Sequence, residues 1–290
     1  MLHLIHNPVA GRGRARHIAK RLREALAARG VASTVWTTEG PGHARVLASG
    51  LPPDATVIAV GGDGTSHEVA GACIGTGRVL GVVPVGSGDD FAYALGIPRD
   101  AVARAVDVIA AGRVRTVDTG VCNGNAFLNA AGVGFDAEVG RRVAAAPAPL
   151  AGFAAYLWAV ATSLRDLSLA RVEVRLDGRV VYEGASLLVS TQNGPRTGGS
   201  FRFCPEARID DGRLDVLIAG AVGRAGAIGL LPRVLVGRHL SHPRVQWLRG
   251  TALSLRWATP RAVHLDGECY PPARLFELGV RPESLRVLAP

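Results

Sequence analysis

The run Thr56-Val-Ile-Ala-Val-Gly61-Gly62-Asp63-Gly64-Thr65 places glycines and an acid where an apolar, β-branched strand ends and a helix begins. Glycines let a backbone approach a phosphate closely, and free N–H groups at a helix N-terminus bind anions. An aspartate in such a loop repels phosphate unless a cation stands between them, so Asp63 implies magnesium. A tight Asp-Gly turn needs only two of these residues. Five in this order at a strand–helix junction are far more specific. The run Val82-Val-Pro-Val-Gly86-Ser87-Gly88-Asp89-Asp90-Phe91 repeats the pattern of strand, glycine loop and helix. Ser87 offers a hydroxyl and N–H groups to phosphate, whereas Asp89 or Asp90 also suits a helix cap. A third loop, Asn7-Pro8-Val9-Ala10-Gly11, follows a strand as well. In a parallel sheet all three loops leave the carboxyl ends of strands and converge on one edge, where ligands bind.

Other nucleotide motifs fail. A Walker A loop needs Gly-Lys-Ser/Thr, and the only lysine, Lys20, follows Ala19. A G-x-G-x-x-G started by Gly11 and Gly13 meets Arg16 at its last position, and the protein-kinase signatures are absent.

The elements that position these loops alternate over the first ~115 residues, which argues for a parallel sheet covered by helices. Strands are expected at Leu2–His6, Val31–Trp36, Thr56–Val60 and Val79–Val83. Helices are expected at Arg14–Arg29, after Gly42, and at Thr65–Cys73, Asp89–Leu95 and Arg99–Ala111. Beyond Val114 the texture changes. Asn123-Gly124, Asp177-Gly178, Asp211-Gly212 and Asp266-Gly267 read as hairpin turns. Between them lie the strand-like runs Arg171–Leu176, Val180–Ser190, Leu214–Ala219 and Ala262–Leu265, with a helix expected at Leu150–Leu169. The second half is therefore largely antiparallel β, and the boundary falls near Thr116.

At 290 residues with 48% hydrophobic and 20% charged side chains, the chain can bury a sizeable core and is not disordered. The formal charge of +9 is almost all arginine, a surface suited to phosphate-bearing partners. Aromatics at 5% argue against a base-stacking nucleic-acid module. Cys73, Cys122, Cys204 and Cys269 are scattered, so neither a disulfide framework nor a zinc site is expected, and a reducing cytoplasm is the natural setting. The N-terminal run lacks the layout of a signal peptide. Ala144–Leu164 is uncharged, but Pro147 and Pro149 interrupt it, and Leu150–Leu164 is too short to span a bilayer. His239 and His242 have no acidic neighbour and read as surface histidines rather than metal ligands.

Taken in order, Asn7-Pro8…Gly11, Gly61-Gly62-Asp63-Gly64-Thr65 and Gly86-Ser87-Gly88-Asp89-Asp90-Phe91-Ala92 resemble the diacylglycerol/sphingosine lipid-kinase family. The resemblance continues through Asp118-Thr-Gly, Phe127-Leu-Asn129, Gly132-Val-Gly-Phe-Asp136-Ala-Glu-Val139, Asn193-Gly194, Cys204-Pro205, Asp211-Gly212…Leu214-Asp215 and Asp266-Gly267-Glu268. It implies an α/β nucleotide-binding domain over residues 1–115 and a β-sandwich substrate domain over 116–281. A last strand, 282–290, would return to the first domain, and the active site would lie in the cleft between the two. The implied reaction is transfer of the γ-phosphoryl of ATP to a lipid hydroxyl, an entry into phospholipid biosynthesis.

By position, Asn7, Pro8, Val9, Ala10, Gly11, Thr38, Gly61, Gly62, Asp63, Gly64, Thr65, Ser66, His67 and Ser87 would touch ATP, and Asp63 would act through magnesium. Glu268 looks like the general base that takes the hydroxyl proton, with Asp266 as its rival. If the strand continues through them, the two share a face and sequence geometry does not separate them. Arg208, Asp211 and Arg213 match a structural magnesium site, Asp211 through its carboxylate and the arginines through backbone carbonyls. The chain departs from the usual pattern at Asp89, where Asn is common, at His67, and at Ser87, where Thr is common.

From Asp215 to Asp266 there is no acidic residue, yet Arg224, Arg233, Arg238, Arg244, Arg249, Arg256 and Arg261 occur. Ile228, Leu230, Leu231, Val234 and Leu235 sit among the first of them, a pattern that suits an anionic membrane surface or an ordinary amphipathic helix. The expectation is a cytoplasmic, peripherally membrane-associating kinase, with a homodimer left open. The alternatives are an NAD-kinase-like enzyme with a soluble acceptor, a non-catalytic nucleotide- or lipid-binding regulator, and, on charge alone, a nucleic-acid binder.

Overall fold

The computed structural model describes residues 1–98, 102–150 and 153–290, with no description of the Phe153 side chain. The chain divides into two compact units, one of residues 1–119, 209–211 and 281–290, the other of 120–208 and 212–280.

The first unit follows the alternation of its sequence. Its elements are β1 (Leu2–His6), α1 (Arg14–Ala27), β2 (Ser33–Thr37), α2 (His43–Ser49), β3 (Thr56–Gly61), α3 (Asp63–Cys73), β4 (Val79–Pro84), α4 (Asp90–Ala94) and α5 (Val102–Ala111). The strands pair in parallel in the order β2-β1-β3-β4. β3 and β4 are apolar and almost wholly buried, as strands covered on both faces are. α1 buries Ala15, Ala19, Leu22 and Leu26, the spacing of one helical face. The helix expected from Arg99 is found from Val102, and residues 99–101 lie outside the described residues.

The second unit takes up β5 (Val114–Cys122), which begins in the first, then β6 (Asn125–Phe127), β7 (Ala130–Gly134), α6 (Phe135–Ala144), α7 (Phe153–Arg165), β8 (Ala170–Leu176), β9 (Arg179–Ser186), β10 (Leu188–Gln192), β11 (Leu214–Ala219), α8 (Arg224–Leu235), β12 (Val245–Gly250), β13 (Ala252–Leu265) and β14 (Glu268–Leu288). One antiparallel sheet runs β12-β11-β10-β7-β13. A second runs β9-β8-β13-β14. β13 belongs to both: Val263–Leu265 pair with β7 and Leu253–Trp257 with β8, and the register slips in between. Such a slip bends a strand from one sheet into the other. Val133, Val189 and Val216 of the first sheet and Val172, Val174 and Leu255 of the second share one buried cluster, the core of a β-sandwich. The last residues of β14 return to the first unit, where Arg286 and Val287 pair in parallel with β4.

Several expectations need correction. Val180–Ser190 is two strands, because the chain turns at Leu187, whose N–H donates to the Ala219 carbonyl at 2.8 Å. Asp211-Gly212 is no hairpin turn. The segment before it forms no strand to pair with β11, and Asp211 lacks the positive φ seen at Asn123, Asp177 and Asp266. The helix expected at Leu150–Leu169 covers Phe153–Arg165, with residues 151–152 outside the described residues. α6, unanticipated, occupies Phe135–Ala144. His239 is not a surface residue. It is buried, its Nε2 lies 2.9 Å from the Phe203 carbonyl oxygen, and burial lowers its pKa. No helix among the described residues is long and apolar enough to cross a membrane. Cys73, Cys122 and Cys204 are buried free thiols and Cys269 is an exposed one.

One buried cation ties the first unit together. The Arg78 guanidinium donates to the carbonyls of Ala72 at 2.9 Å, Ser49 at 3.1 Å and Leu51 at 2.5 Å, joining the ends of α2 and α3 ahead of β4. An Arg78→Leu substitution strands three carbonyls and is expected to cost about 2–4 kcal/mol of unfolding free energy. Urea denaturation reads this directly, and an unchanged midpoint would contradict it.

Candidate functional sites in each unit

In the first unit the three glycine loops meet. The Asn7 N–H continues the pairing of β1 with β3 by donating to the Val60 carbonyl at 3.2 Å. The Asn7 side chain folds the next turn, its Oδ1 accepting the Val9 N–H at 3.1 Å, and Pro8 to Gly11 follow. Gly11 has φ +58, and a Cβ there would stand 2.5 Å from the Val85 carbonyl oxygen, so this loop lies against the end of β4. Likewise a Cβ on Gly86 would stand 2.7 Å from the Gly62 Cα, and one on Gly88 would collide with the Asp63 carboxylate. The glycines therefore serve first to let the loops pack on one another.

Asp63 is the centre of this packing. It stands in the first turn of α3, one residue after its cap Gly62, rather than in a loop before the helix. Its Oδ2 accepts the Asp89 N–H and its Oδ1 the Asp90 N–H, both at 2.7 Å. Asp89 has φ 53, a left-handed conformation that Asp and Asn tolerate, and its Oδ1 accepts the Gly86 N–H at 3.0 Å. Asp89 thus closes a tight turn that an asparagine could also close. Burial, and then the neighbouring charges of Asp90 and Asp89, push the Asp63 carboxyl up to about 7. Carboxylate oxygens so arranged retain lone pairs and suit a hard cation, so the residues present fit magnesium. The α3 N-terminus adds N–H donors, and Ser87 stands exposed at the loop tip.

Thr65, Ser66 and His67 are buried within α3. Thr38 is buried too, its N–H donating to the His6 carbonyl at 3.0 Å. Sequence reasoning left Asp90 as a helix cap and passed over Glu68 and Arg14. Glu68 accepts the Gly42 and Ala44 N–H groups at 2.8 and 3.0 Å and so holds the start of α2 against α3. Arg14 is exposed at the first loop, its Nε–H donating to the Gly11 carbonyl at 3.2 Å. The signals for these were the tandem Asp89-Asp90 and the Gly-Arg-Gly-Arg-Ala-Arg run from Gly11.

In the second unit the β13–β14 hairpin separates the rival bases. Asp266 and Gly267 are the two turn residues, at φ 51 and 91, so strand alternation does not apply across them. The Asp266 carboxylate is a clamp. Its Oδ1 accepts the N–H groups of Asn129 at 2.8 Å and Ala130 at 3.0 Å, and its Oδ2 that of Leu128 at 2.7 Å. Glu268 opens β14, its backbone paired with Leu265 and its exposed side chain in no hydrogen bond or ion pair among the described residues. Beneath the turn, His264 Nδ1 accepts the Gly267 N–H at 3.3 Å, and its Nε2 lies 3.5 Å from Asp136 Oδ2.

Following Glu268 in β14, Cys269 and Tyr270 line a cavity of about 430 Å³. Phe135, Leu167, Pro260 and Val263 give it apolar walls, and Arg141 and Arg142 carry charge at its wall. Arg208, Asp211 and Arg213 are exposed on the irregular segment before β11, Asp211 grouped with the first unit and the arginines with the second. Among the described residues no three His, Cys, Asp or Glu side chains gather as a metal site.

The clamp has a measurable consequence. Asp266→Asn keeps one acceptor oxygen and turns an amide N–H₂ toward backbone donors, so it is expected to cost about 2–4 kcal/mol. Glu268→Gln, at an exposed position, is expected to stay within about 0.5 kcal/mol. Equal losses for both in chemical denaturation would contradict the distinction.

Comparison with known proteins bears on family and fold. Residues 1–122 match the diacylglycerol kinase catalytic domain, and residues 129–289 match the YegS C-terminal NAD kinase beta sandwich-like domain. A diacylglycerol kinase of Bacillus subtilis is 30% identical over 91% of this chain and 88% of its own. A Pseudomonas aeruginosa protein described as "Probable lipid kinase YegS-like" is 33% identical over 100% of this chain and 94% of its own. The crystal structure of a diacylglycerol kinase from Bacillus anthracis superposes with a TM-score of 0.74 at 22% identity, covering 100% of this chain and 96% of that one. An NAD kinase from Archaeoglobus fulgidus in complex with ATP shares the fold at a TM-score of 0.50 and 11% identity, covering 99% and 93%. The chain belongs to the family of bacterial lipid kinases built from a diacylglycerol kinase catalytic domain and a YegS-like β-sandwich domain.

Proposed function

We propose that this chain transfers the γ-phosphoryl group of Mg-ATP to the hydroxyl of a lipid alcohol, diacylglycerol-like or sphingoid. The observation that carries the reading is the Asp63 carboxylate held between two glycine loops, beside Asp89 and Asp90. Phosphoryl transfer is mostly positioning and charge neutralisation, and this arrangement serves both. The α3 N–H groups, Ser87 and Arg14 bind the phosphates, with Asn7 to Gly11 and Thr38 bordering the nucleotide. Magnesium at Asp63 supplies positive charge at the phosphates. A structural magnesium is assigned to the Asp211 carboxylate and the carbonyls of Arg208 and Arg213.

Glu268 takes the acceptor proton. As the lipid oxygen bonds to the γ-phosphorus, the bond from that phosphorus to its bridging oxygen breaks, ADP leaves, and the proton passes to the Glu268 carboxylate. The exposure of Glu268, against the threefold engagement of Asp266, supports this assignment. The cavity beside the start of β14 has charged as well as apolar walls, and its apolar part, Phe135, Leu167, Pro260 and Val263, supports a lipid acceptor, since it would cover part of a hydrocarbon chain. Peripheral association with an anionic membrane at the cytoplasmic side belongs to the same reading.

Radiolabelled γ-phosphate transfer to a panel of lipid alcohols in mixed micelles tests it. A labelled lipid is expected, with turnover reduced about 10²-fold or more by Glu268→Gln and by Asp63→Ala. Label appearing instead on NAD or another soluble acceptor would overturn the lipid reading. Undiminished turnover in Glu268→Gln would overturn the base.

A further inference from the structure

We infer that helix α8 of the second unit is a membrane-docking face that lies on an anionic lipid bilayer. One side of α8 is buried: Ala227 and Leu230 pack with Leu188, Leu217 and Ala219 on the outer face of the β-sandwich sheet, and Leu231 packs toward α7. At about 100° per residue, Ala225, Ile228, Gly229, Pro232, Leu235 and the capping residue Val236 fall on the opposite side, within an arc of about 120°. All six are exposed, Ile228 by 56%, Leu235 by 43% and Val236 by 59%. Single exposed apolar side chains are ordinary on a protein surface, but a continuous stripe along a helix is not.

The same geometry sets Arg224 on one flank of the stripe and Arg233 on the other. Arg224 also fixes the helix, donating to the Arg165 carbonyl at the end of α7 at 2.6 Å. Arg238 follows just past the helix, and Arg233 and Arg238 form no ion pair among the described residues. No acidic residue occurs between Asp215 and Asp266, so no charge on this stretch opposes an anionic surface. An apolar stripe between arginines is the pattern of a helix lying in the headgroup region, its apolar side chains down and its cations beside lipid phosphates. Pro232 fits this placement. It leaves the carbonyl one turn earlier, at Ile228, without its helical donor, which water and headgroups can satisfy at that depth and a hydrocarbon interior could not.

This inference rests on the lipid-kinase reading for its setting, a membrane-borne acceptor, yet its test uses neither nucleotide nor turnover. The full chain is sedimented with phosphatidylcholine vesicles containing about one-third phosphatidylglycerol, and with pure phosphatidylcholine vesicles. Binding is expected to the anionic vesicles and to fall in high salt. The triple variant Ile228→Ser, Leu235→Ser, Val236→Ser is expected to lose at least tenfold in vesicle affinity. Arg233→Gln and Arg238→Gln are each expected to cost about fivefold. Ile228→Trp is expected to bind several-fold more tightly, a gain that misfolding cannot imitate. Equal binding by wild type and the triple variant would overturn the proposal. So would self-association of the wild type, in sedimentation velocity, that the triple variant abolishes, because a second copy would then own the stripe. Vesicle binding without lipid phosphorylation would uphold this face and overturn the kinase reading alone.

Discussion

A carboxylate drawn out of water must be met by donors, and at the loops that matter in this chain the donors are backbone N–H groups. Asp63 takes two of them from the β4–α4 loop and so fixes that loop to the start of α3. Asp266 takes three from Leu128 to Ala130 and fixes that loop to the β13–β14 turn. Glu68 holds the start of α2, Asp177 accepts the N–H groups of Thr251 and Ala252 at 2.9 Å, and Asp118 accepts that of Glu283 at 2.8 Å. Each bond is charge-assisted and joins segments 24 or more positions apart in the chain. Together they let glycine-rich loops, which are entropically costly to order, hold one conformation.

The same device creates an electrostatic tension in the first unit. Asp63, Asp89 and Asp90 gather at the end of the sheet, and their mutual repulsion adds to burial in raising Asp63. The magnesium of the proposed reading would release this tension. Around it the chain carries a net positive surface, with Arg12, Arg14 and Arg16 exposed where the first loop enters α1. On the proposed reading, a cation within and arginine at the rim would let the site accept polyphosphate although its innermost side chains are anionic.

Much of this was legible in the residues. The buried strands Thr56–Gly61 and Val79–Pro84 are continuous apolar runs, and the glycines after them announce turns. Convergence of the loops followed from parallel order alone. The roles of the individual carboxylates were less legible, because a carboxylate that clamps a loop and one left exposed are alike in sequence. Asp266 and Glu268 look alike until the turn at φ 51 takes Asp266 out of the strand. α6 was obscured because its capping glycine, Gly134, has φ 110 and is itself the last residue of β7, so one glycine-rich run ends a strand and starts a helix. His239 looked like a surface residue because its partner is a backbone carbonyl 36 positions away, which no local pattern reveals.

The central claim is that Asp63, held between the two glycine loops, organises the nucleotide site. Calorimetric titration of Mg-ATP into the Gly88→Ala protein tests it most directly. The added Cβ collides with the Asp63 carboxylate and forces it away from the Asp89 and Asp90 N–H groups. A loss of affinity of at least about tenfold, equivalent to about 1.4 kcal/mol, in a protein whose cooperative thermal transition is retained, is the predicted result. Unchanged Mg-ATP affinity in the folded variant would contradict the account.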